Sequence, residues 1–401
     1  MDKKQQDLYS RQIGTFGEDT MKQISNTIVY VNGLDSIGLE TCKCLCLLGI
    51  KKLYICDNRL IDTKTLGCNF IINSIPEPSL KIDEFCLNYL KELNSYVEIE
   101  CIKTEKLTDD IIKKVDILVM TKLLKNTNAI EIDKKCKQYG VKFIIGLCFG
   151  FSGYVFSNFL NHTIKDNNGE NIRKTHILDI KYDNNTTQIN VHDKTMFTYG
   201  DCFKFVSEKL KDNLFKISGF KDDKLVINQD LSHLKLEHNL NLEVMEVKEK
   251  ITRNYRSLEE TIADRLYPSS VINLTNPEMT MSLLDDFYLI IKSNKINNLN
   301  NKVIVSDKFN FPVIGSIIGS SIATEVIKLG GKYQPLDQEL LLDYSEIHQL
   351  NNSSNVYKTI PDLNYKNIYG LLSKNIIRYL KTANIFLVGA GALGCEYLKL
   401  F

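Results

Sequence analysis

Two stretches hold the residues with the clearest chemistry. Thr27 to Glu40 reads Thr-Ile-Val-Tyr-Val-Asn-Gly-Leu-Asp-Ser-Ile-Gly-Leu-Glu, and Asn384 to Glu396 reads Asn-Ile-Phe-Leu-Val-Gly-Ala-Gly-Ala-Leu-Gly-Cys-Glu. Each passes from an apolar run through a glycine turn into an amphipathic segment, as a nucleotide-binding strand, loop and helix begin. In such a loop the first glycine makes the turn, the second lets the backbone approach a phosphate, and the third lets helix and strand pack closely. The later stretch has all three in Gly389, Gly391 and Gly394 and is a candidate phosphate cradle. The earlier one keeps Gly33 and Gly38 but carries Asp35 in the middle, where a carboxylate opposes an anion by like charge and bulk. Aligned without a gap, Gly33 meets Gly389, Asp35 meets Gly391, Gly38 meets Gly394 and Glu40 meets Glu396. The expectation is one spent nucleotide fold followed by the start of an intact one, with the sequence stopping at Phe401 before the second is built. Asp57, at the end of the second expected strand, stands where such a fold holds a ribose hydroxyl; beside the damaged loop it reads as a solvated loop acid.

Little else suggests chemistry. The eleven cysteines contain no Cys-x-x-Cys pair and the six histidines are scattered, so neither a zinc site nor a disulfide framework is expected. Cys42, Cys44 and Cys46 read as core packing, and free thiols fit a reducing compartment. Fifty basic and forty-nine acidic residues leave a formal charge of +1, too little for a global field that recruits nucleic acid or anionic lipid. The composition is that of a soluble globular protein, without a secretory signal. The long uncharged run between Lys142 and Lys165 is broken by Gly146, Gly150 and Gly153, and so reads as two buried strands rather than a membrane span.

The elements around the loops predict an α/β fold. Strands at Ile28 to Val31, Leu53 to Cys56, Val97 to Ile102, Val115 to Met120 and Phe143 to Cys148 alternate with helical patterns, as in a Rossmann-like doubly wound sheet over residues 1–153. Short alternating strands over 154–247 predict a small β insert. Residues 248–300 read as a helical insert, with Asn276 capping a helix that buries Leu284, Phe287, Tyr288 and Ile291. Residues 301–347 return to the first sheet through a late strand at Leu340 to Asp343. On the apolar helix Phe311 to Leu329, Gly315, Gly319 and Ala323 form a small face, for core packing or for an interface between nucleotide-type halves. Residues 348–380 read as a linker, and 381–401 as the strand and loop opening the second half.

With these residues in hand the chain resembles the amino-terminal part of the ubiquitin-activating enzymes. Leu8-Tyr9-Ser10-Arg11-Gln12, the loop Gly33 to Gly38, Glu92-Leu93-Asn94-Ser95-Tyr96-Val97, Asn168-Gly169-Glu170, Gly200-Asp201, Thr324-Glu325-Val326-Ile327-Lys328 and Val388 to Glu396 are similar to that family in the same order. The resemblance implies an inactive adenylation half carrying a first catalytic-cysteine half-domain and a four-helix bundle, then the start of an active half. It also implies a two-step reaction: a modifier's carboxyl terminus is adenylated with ATP and magnesium, then passed to an enzyme cysteine as a thioester.

Within the resemblance, Arg11 matches an arginine that reaches across to the ATP phosphates of the other half, as a guanidinium can grip two phosphate oxygens. The active half's Asn, and the Arg-Gln-Phe three residues later, fall on Thr65, Cys68, Asn69 and Phe70, so the polar pair is lost. Near Asn364 to Ile368 the arginine motif recurs without its Arg and Gln, consistent with a first cradle that Asp35 disables. Implied partners are ubiquitin or a ubiquitin-like modifier and, for the complete enzyme, ubiquitin-conjugating enzymes, with neither nucleic acid nor membrane; the implied location is cytoplasm and nucleus. The active half's ribose acid, phosphate-contacting residues and magnesium ligand would lie beyond Phe401, so no adenylation by the chain alone is expected, and none of the cysteines matches the nucleophile that would take the thioester. The alternatives are a scaffold that only binds a modifier or partner half and, against the damaged loop, an NAD-dependent oxidoreductase.

Overall fold

The computed structural model describes residues 3–104, 107–123, 128–183, 185–206, 213–234, 242–273, 277–293, 311–344, 347 and 362–401. The chain divides into two compact units, one of residues 1–162, 254–330 and 335–401 and one of residues 163–253 with 331–334.

The first unit is built on an eight-stranded sheet. β1 (Ile28–Asn32), β2 (Lys52–Cys56), β3 (Glu98–Cys101), β4 (Ile117–Met120) and β5 (Lys142–Phe149) run parallel in the order β3-β2-β1-β4-β5. That is the order of a dinucleotide-binding sheet, and it places the loop after β1 beside the point where the order reverses. The sheet is mixed rather than wholly parallel. β6 (Ser152–Asn158) returns antiparallel to β5 through the turn at Gly150, giving the two buried strands expected there. Glu339–Asp343 pairs antiparallel with β6, and Ser270–Asn273 lies parallel to it at the edge.

That edge strand corrects the helical insert expected over 248–300. Among the described residues this stretch has two helices, Leu258–Asp264 and Pro277–Ser293, and they do not form a four-helix bundle. The first is fixed by a capping box between Ser257 and Glu260. The second buries the expected stripe of Leu284, Phe287, Tyr288 and Ile291 in the core that holds Phe143, Tyr154 and Phe156. The Tyr154 and Tyr288 hydroxyls donate to buried Glu339 at 2.6 and 2.8 Å. A sheet face supplies the partner that a bundle otherwise provides. Asn276, the expected cap, lies outside the described residues.

The opposite face is covered by the helices Ser36–Leu48 and Pro312–Ile327, and here the small stripe finds its use. A β-carbon on Gly315 would stand 2.0 Å from Ser36 Oγ, and one on Gly319 2.6 Å from the Ile37 carbonyl oxygen. The glycines therefore admit the loop helix itself, within this half, while Ile314, Ile318 and Ile322 fill the core beneath. Cys42 and Cys46 are fully buried in the same cluster, and burial raises both thiols.

The second unit is a seven-stranded sheet whose strands, from Lys174–Asp183 to Glu243–Glu246, enclose Ile189, Val191, Phe203, Phe205, Phe215, Leu225 and Val244. Its family-like residues act locally. Arg173 pairs with Asp201 at 2.8 Å and Glu246 at 2.6 Å, while Gly169, at φ 72°, lies against the Tyr333 ring.

The stretch 348–380, expected as linker, is partly helical: Lys366–Leu371 and Lys374–Thr382 are helices, and Tyr369, Leu371 and Ile377 bury themselves with Phe151. Ser373, whose side chain caps the second, was the local signal for it. The strand expected before Gly389 is also corrected. Residues 384–391 form no strand, because a ladder needs a neighbour and none pairs with them among the described residues; Phe386 is 92% exposed.

Candidate functional site

The first cradle is closed by the protein itself. Asp35 ends the turn after β1 and precedes the helix Ser36–Leu48, but its carboxylate does not cap that helix. It accepts instead from Arg59 Nη2 at 2.7 Å. The same guanidinium donates to Asp57, through Nε at 2.8 Å and Nη2 at 2.6 Å, and Asp57 also accepts from the Leu34 amide at 2.9 Å. Asp57 is thus a buried, fully partnered acid rather than the solvated one the sequence suggested. Burial alone would raise its pKa; the hydrogen bonds and charge of Arg59 outweigh that and hold it below the usual carboxylate range.

Asn32, Gly33, Asp57, Arg59 and Lys122 line a remaining cavity of about 30 Å³, room for about one or two waters. A β-carbon on Gly38 would meet the Gly33 carbonyl oxygen at 1.8 Å, so the turn itself keeps its packing glycine. Asn69, standing where the resemblance expects a polar phosphate contact, is spent on structure. Its Nδ2 donates to the Leu34 carbonyl at 2.7 Å, and its Oδ1 accepts from the amides of Ile71 and Ile72. Thr65 bonds within its own turn, and Cys68 is buried. The polar groups of this loop are thus taken up by one another and by the backbone.

The second loop repeats the backbone without the plug. Gly389 sits at φ 93° where Gly33 sits at φ 89°, and Gly391 at φ −74°, ψ −164° where Asp35 sits at φ −67°, ψ −170°. A β-carbon on Gly394 would approach the Gly389 carbonyl oxygen, as Gly38 does that of Gly33, whereas one on Gly391 would meet nothing within 4 Å. The residues present suit the close approach of an anion.

The repeat extends further than the loops. Each second-copy residue lies 356 positions after its counterpart (389 less 33), and the same offset joins Tyr365 to Tyr9, Asn367 to Arg11 and Lys399 to Lys43. Tyr9 and Tyr365 precede their helices with φ, ψ of −96°, 15° and −104°, 17°. The helices Glu18–Ile24 and Lys374–Thr382 also correspond. Contacts between the copies are reciprocal. Lys43 Nζ lies 2.7 Å from Glu396, and Lys399 Nζ lies 2.9 Å from Glu40. Exchange of equivalent contacts is the mark of a two-fold relation.

That relation bears on Arg11. Arg11 stands exposed on the helix Ser10–Phe16 and makes no ion pair among the described residues. Its base is rigid: buried Tyr9 packs under Gly49, and its hydroxyl accepts from Asn94 Nδ2 at 2.7 Å while Asn94 also donates to the Cys46 carbonyl. The counterpart of Arg11, Asn367, reaches the loop after β2, donating to the Gly67 carbonyl at 3.1 Å. Beside it, Lys366 donates to the carbonyls of Thr63 and Lys64.

The model of the ThiF family matches residues 9–367. The chain belongs to the ThiF family. Among curated relatives it is similar to ubiquitin-like modifier-activating enzyme 1 of Dictyostelium discoideum, 26% identical across 98% of this chain and 42% of that protein. It is similar also to ubiquitin-activating enzyme E1 1 of Triticum aestivum, 24% identical across 98% of this chain and 41% of that protein. A third relative is the SUMO-activating enzyme subunit aos-1 of Caenorhabditis elegans, 28% identical across 40% of this chain and 48% of that protein. The chain thus spans about four-tenths of the length of the first two relatives.

Sequence reasoning singled out Asp35 and the three later glycines, and did not reach Arg59, Lys43 or Lys399. Extending the gap-free alignment three residues past Glu40 and Glu396 pairs the two lysines; Arg59 had no comparable signal, because its role depends on the fold of the loop after β2.

Proposed function

We propose that this chain is the non-catalytic amino-terminal half of an activating enzyme for ubiquitin or a ubiquitin-like modifier, a ligase-class activity of the cytoplasm and nucleus. It supplies a folded platform and one arginine, Arg11, to an ATP site formed by the other half. In that site Gly389, Gly391 and Gly394 open the phosphate cradle, and magnesium accompanies the nucleotide. The complete enzyme joins the modifier's carboxylate to the α-phosphate with loss of pyrophosphate, then passes the acyl group to a thiolate with loss of AMP, for collection by a conjugating enzyme.

One observation carries the assignment of Arg11. Asn367 touches the loop after β2, beside the first cradle. Under the two-fold relation its counterpart, Arg11, stands at the matching loop beside the second. A guanidinium there faces the triphosphate, which the first half, plugged by Arg59, has no need to hold. The names of the relatives support the substrate class.

Reconstitution tests this reading. Mixed with a separately made carboxyl-terminal half of a ubiquitin-activating enzyme, the chain is expected to restore ATP-dependent thioester formation with ubiquitin or a related modifier. Binding of the two halves without thioester would favour a scaffold instead.

A further inference from the structure

The reciprocal contacts between the two loop helices are made by one short pattern used twice, Glu40-x-x-Lys43 and Glu396-x-x-Lys399. Within each helix the pair faces itself, Lys43 to Glu40 at 2.8 Å and Lys399 to Glu396 at 2.5 Å. Between helices each lysine takes the other's glutamate, closing a square of four charges. The Glu40 and Lys43 side chains are only 7% and 9% exposed, those of Lys399 and Glu396 24% and 47%, and the Lys399 ammonium also lies 4.6 Å from the Phe70 ring centre. Burial of Glu40 and Lys43 makes an unmatched charge on the first helix costly, so the square discriminates between arrangements.

We propose that Glu40, Lys43, Glu396 and Lys399 form the pairing code that docks the second loop helix on the first and fixes its register. The pattern is self-complementary only in one antiparallel register. A slide of three residues sets Lys43 against Lys399 or Glu40 against Glu396, and a like charge set against buried Lys43 or Glu40 rejects it. The code thereby sets where the second glycine loop opens relative to the first half. It concerns docking and not nucleotide, so it stands or falls apart from the adenylation reading.

Hydrogen exchange of the full chain tests it. The helix Ala392–Leu400 has nine residues, too few for stability on its own in water, so protection of its amides reports docking. Glu40→Lys with Lys43→Glu keeps the net charge and the pair within its helix but sets like charges across the contact. It is expected to speed exchange over 392–400 by about tenfold or more. Adding Glu396→Lys and Lys399→Glu rebuilds the square in mirror sense and is expected to restore protection to within about twofold. Unchanged exchange in the double variant, or no recovery in the quadruple one, would overturn the proposal. Recovery in the quadruple variant also separates lost pairing from a damaged first helix.

Discussion

Arg11→Ala in the reconstituted enzyme is expected to depress ATP–pyrophosphate exchange by about a hundredfold, the usual effect of removing one donor aimed at charge that develops in a transition state. Arg11 is exposed and makes no ion pair among the described residues, so its loss leaves the fold of the first unit intact. Arg11→Lys is expected to recover only part of the rate, since an ammonium cannot grip two oxygens at once. Thermal unfolding of the chain should not change. Exchange at the full rate with alanine at position 11 would remove the arginine from the site, and a lowered melting temperature would recast it as structural.

Arg59→Ala is expected to cost about 3 kcal/mol or more of stability, because it strands a carboxylate that the fold buries. The Asp57 side chain is only 3% exposed and keeps only backbone donors, the Leu34 amide at 2.9 Å and the residue 59 amide at 3.4 Å. The sign with pH follows from the depressed Asp57 pKa. In the natural chain the ion pair is present above the unfolded carboxylate value of about 3.9 and is lost as pH falls through the lower folded value. In the variant the stranded acid is relieved by protonation, so the gap between the two proteins should narrow from pH 7 towards pH 3. Urea unfolding at several pH values measures this. A gap that stays constant would mean that Arg59 acts by packing alone. Adding Asp35→Gly to Arg59→Ala should lower the cost only slightly, since Asp35 is the more exposed of the two acids.

The sequence made the two glycine loops, the parallel strands of the first sheet and the buried hairpin legible, because each rests on a local periodicity or on a glycine at a fixed offset. The inward stripe of Pro277–Ser293 was equally plain, but its partner was not: Ser270–Asn273 is four residues long, and its pairing with Glu339–Asp343 spans a sequence gap that no local pattern marks. At the first cradle Asp35 announced that an anion is unwelcome, yet nothing local to it says that Arg59 fills the place. That depends on the loop after β2 folding back over β1. Asp57 was misread for the same reason, as a loop position by sequence became a buried one by topology. The small stripe of Gly315 and Gly319 left two uses open, and the lack of room for a β-carbon on Gly315 beside Ser36 selects packing within the half.

Amide exchange of the full chain with and without millimolar ATP probes the closed first cradle most directly. Residues 33–40 are expected to exchange at the same rate in both conditions, because Arg59 already occupies Asp35 and Asp57 and the cavity left is water-sized. Slowed exchange over 33–40 on adding ATP would mean that nucleotide displaces the ion pair, and that the first half is a working site.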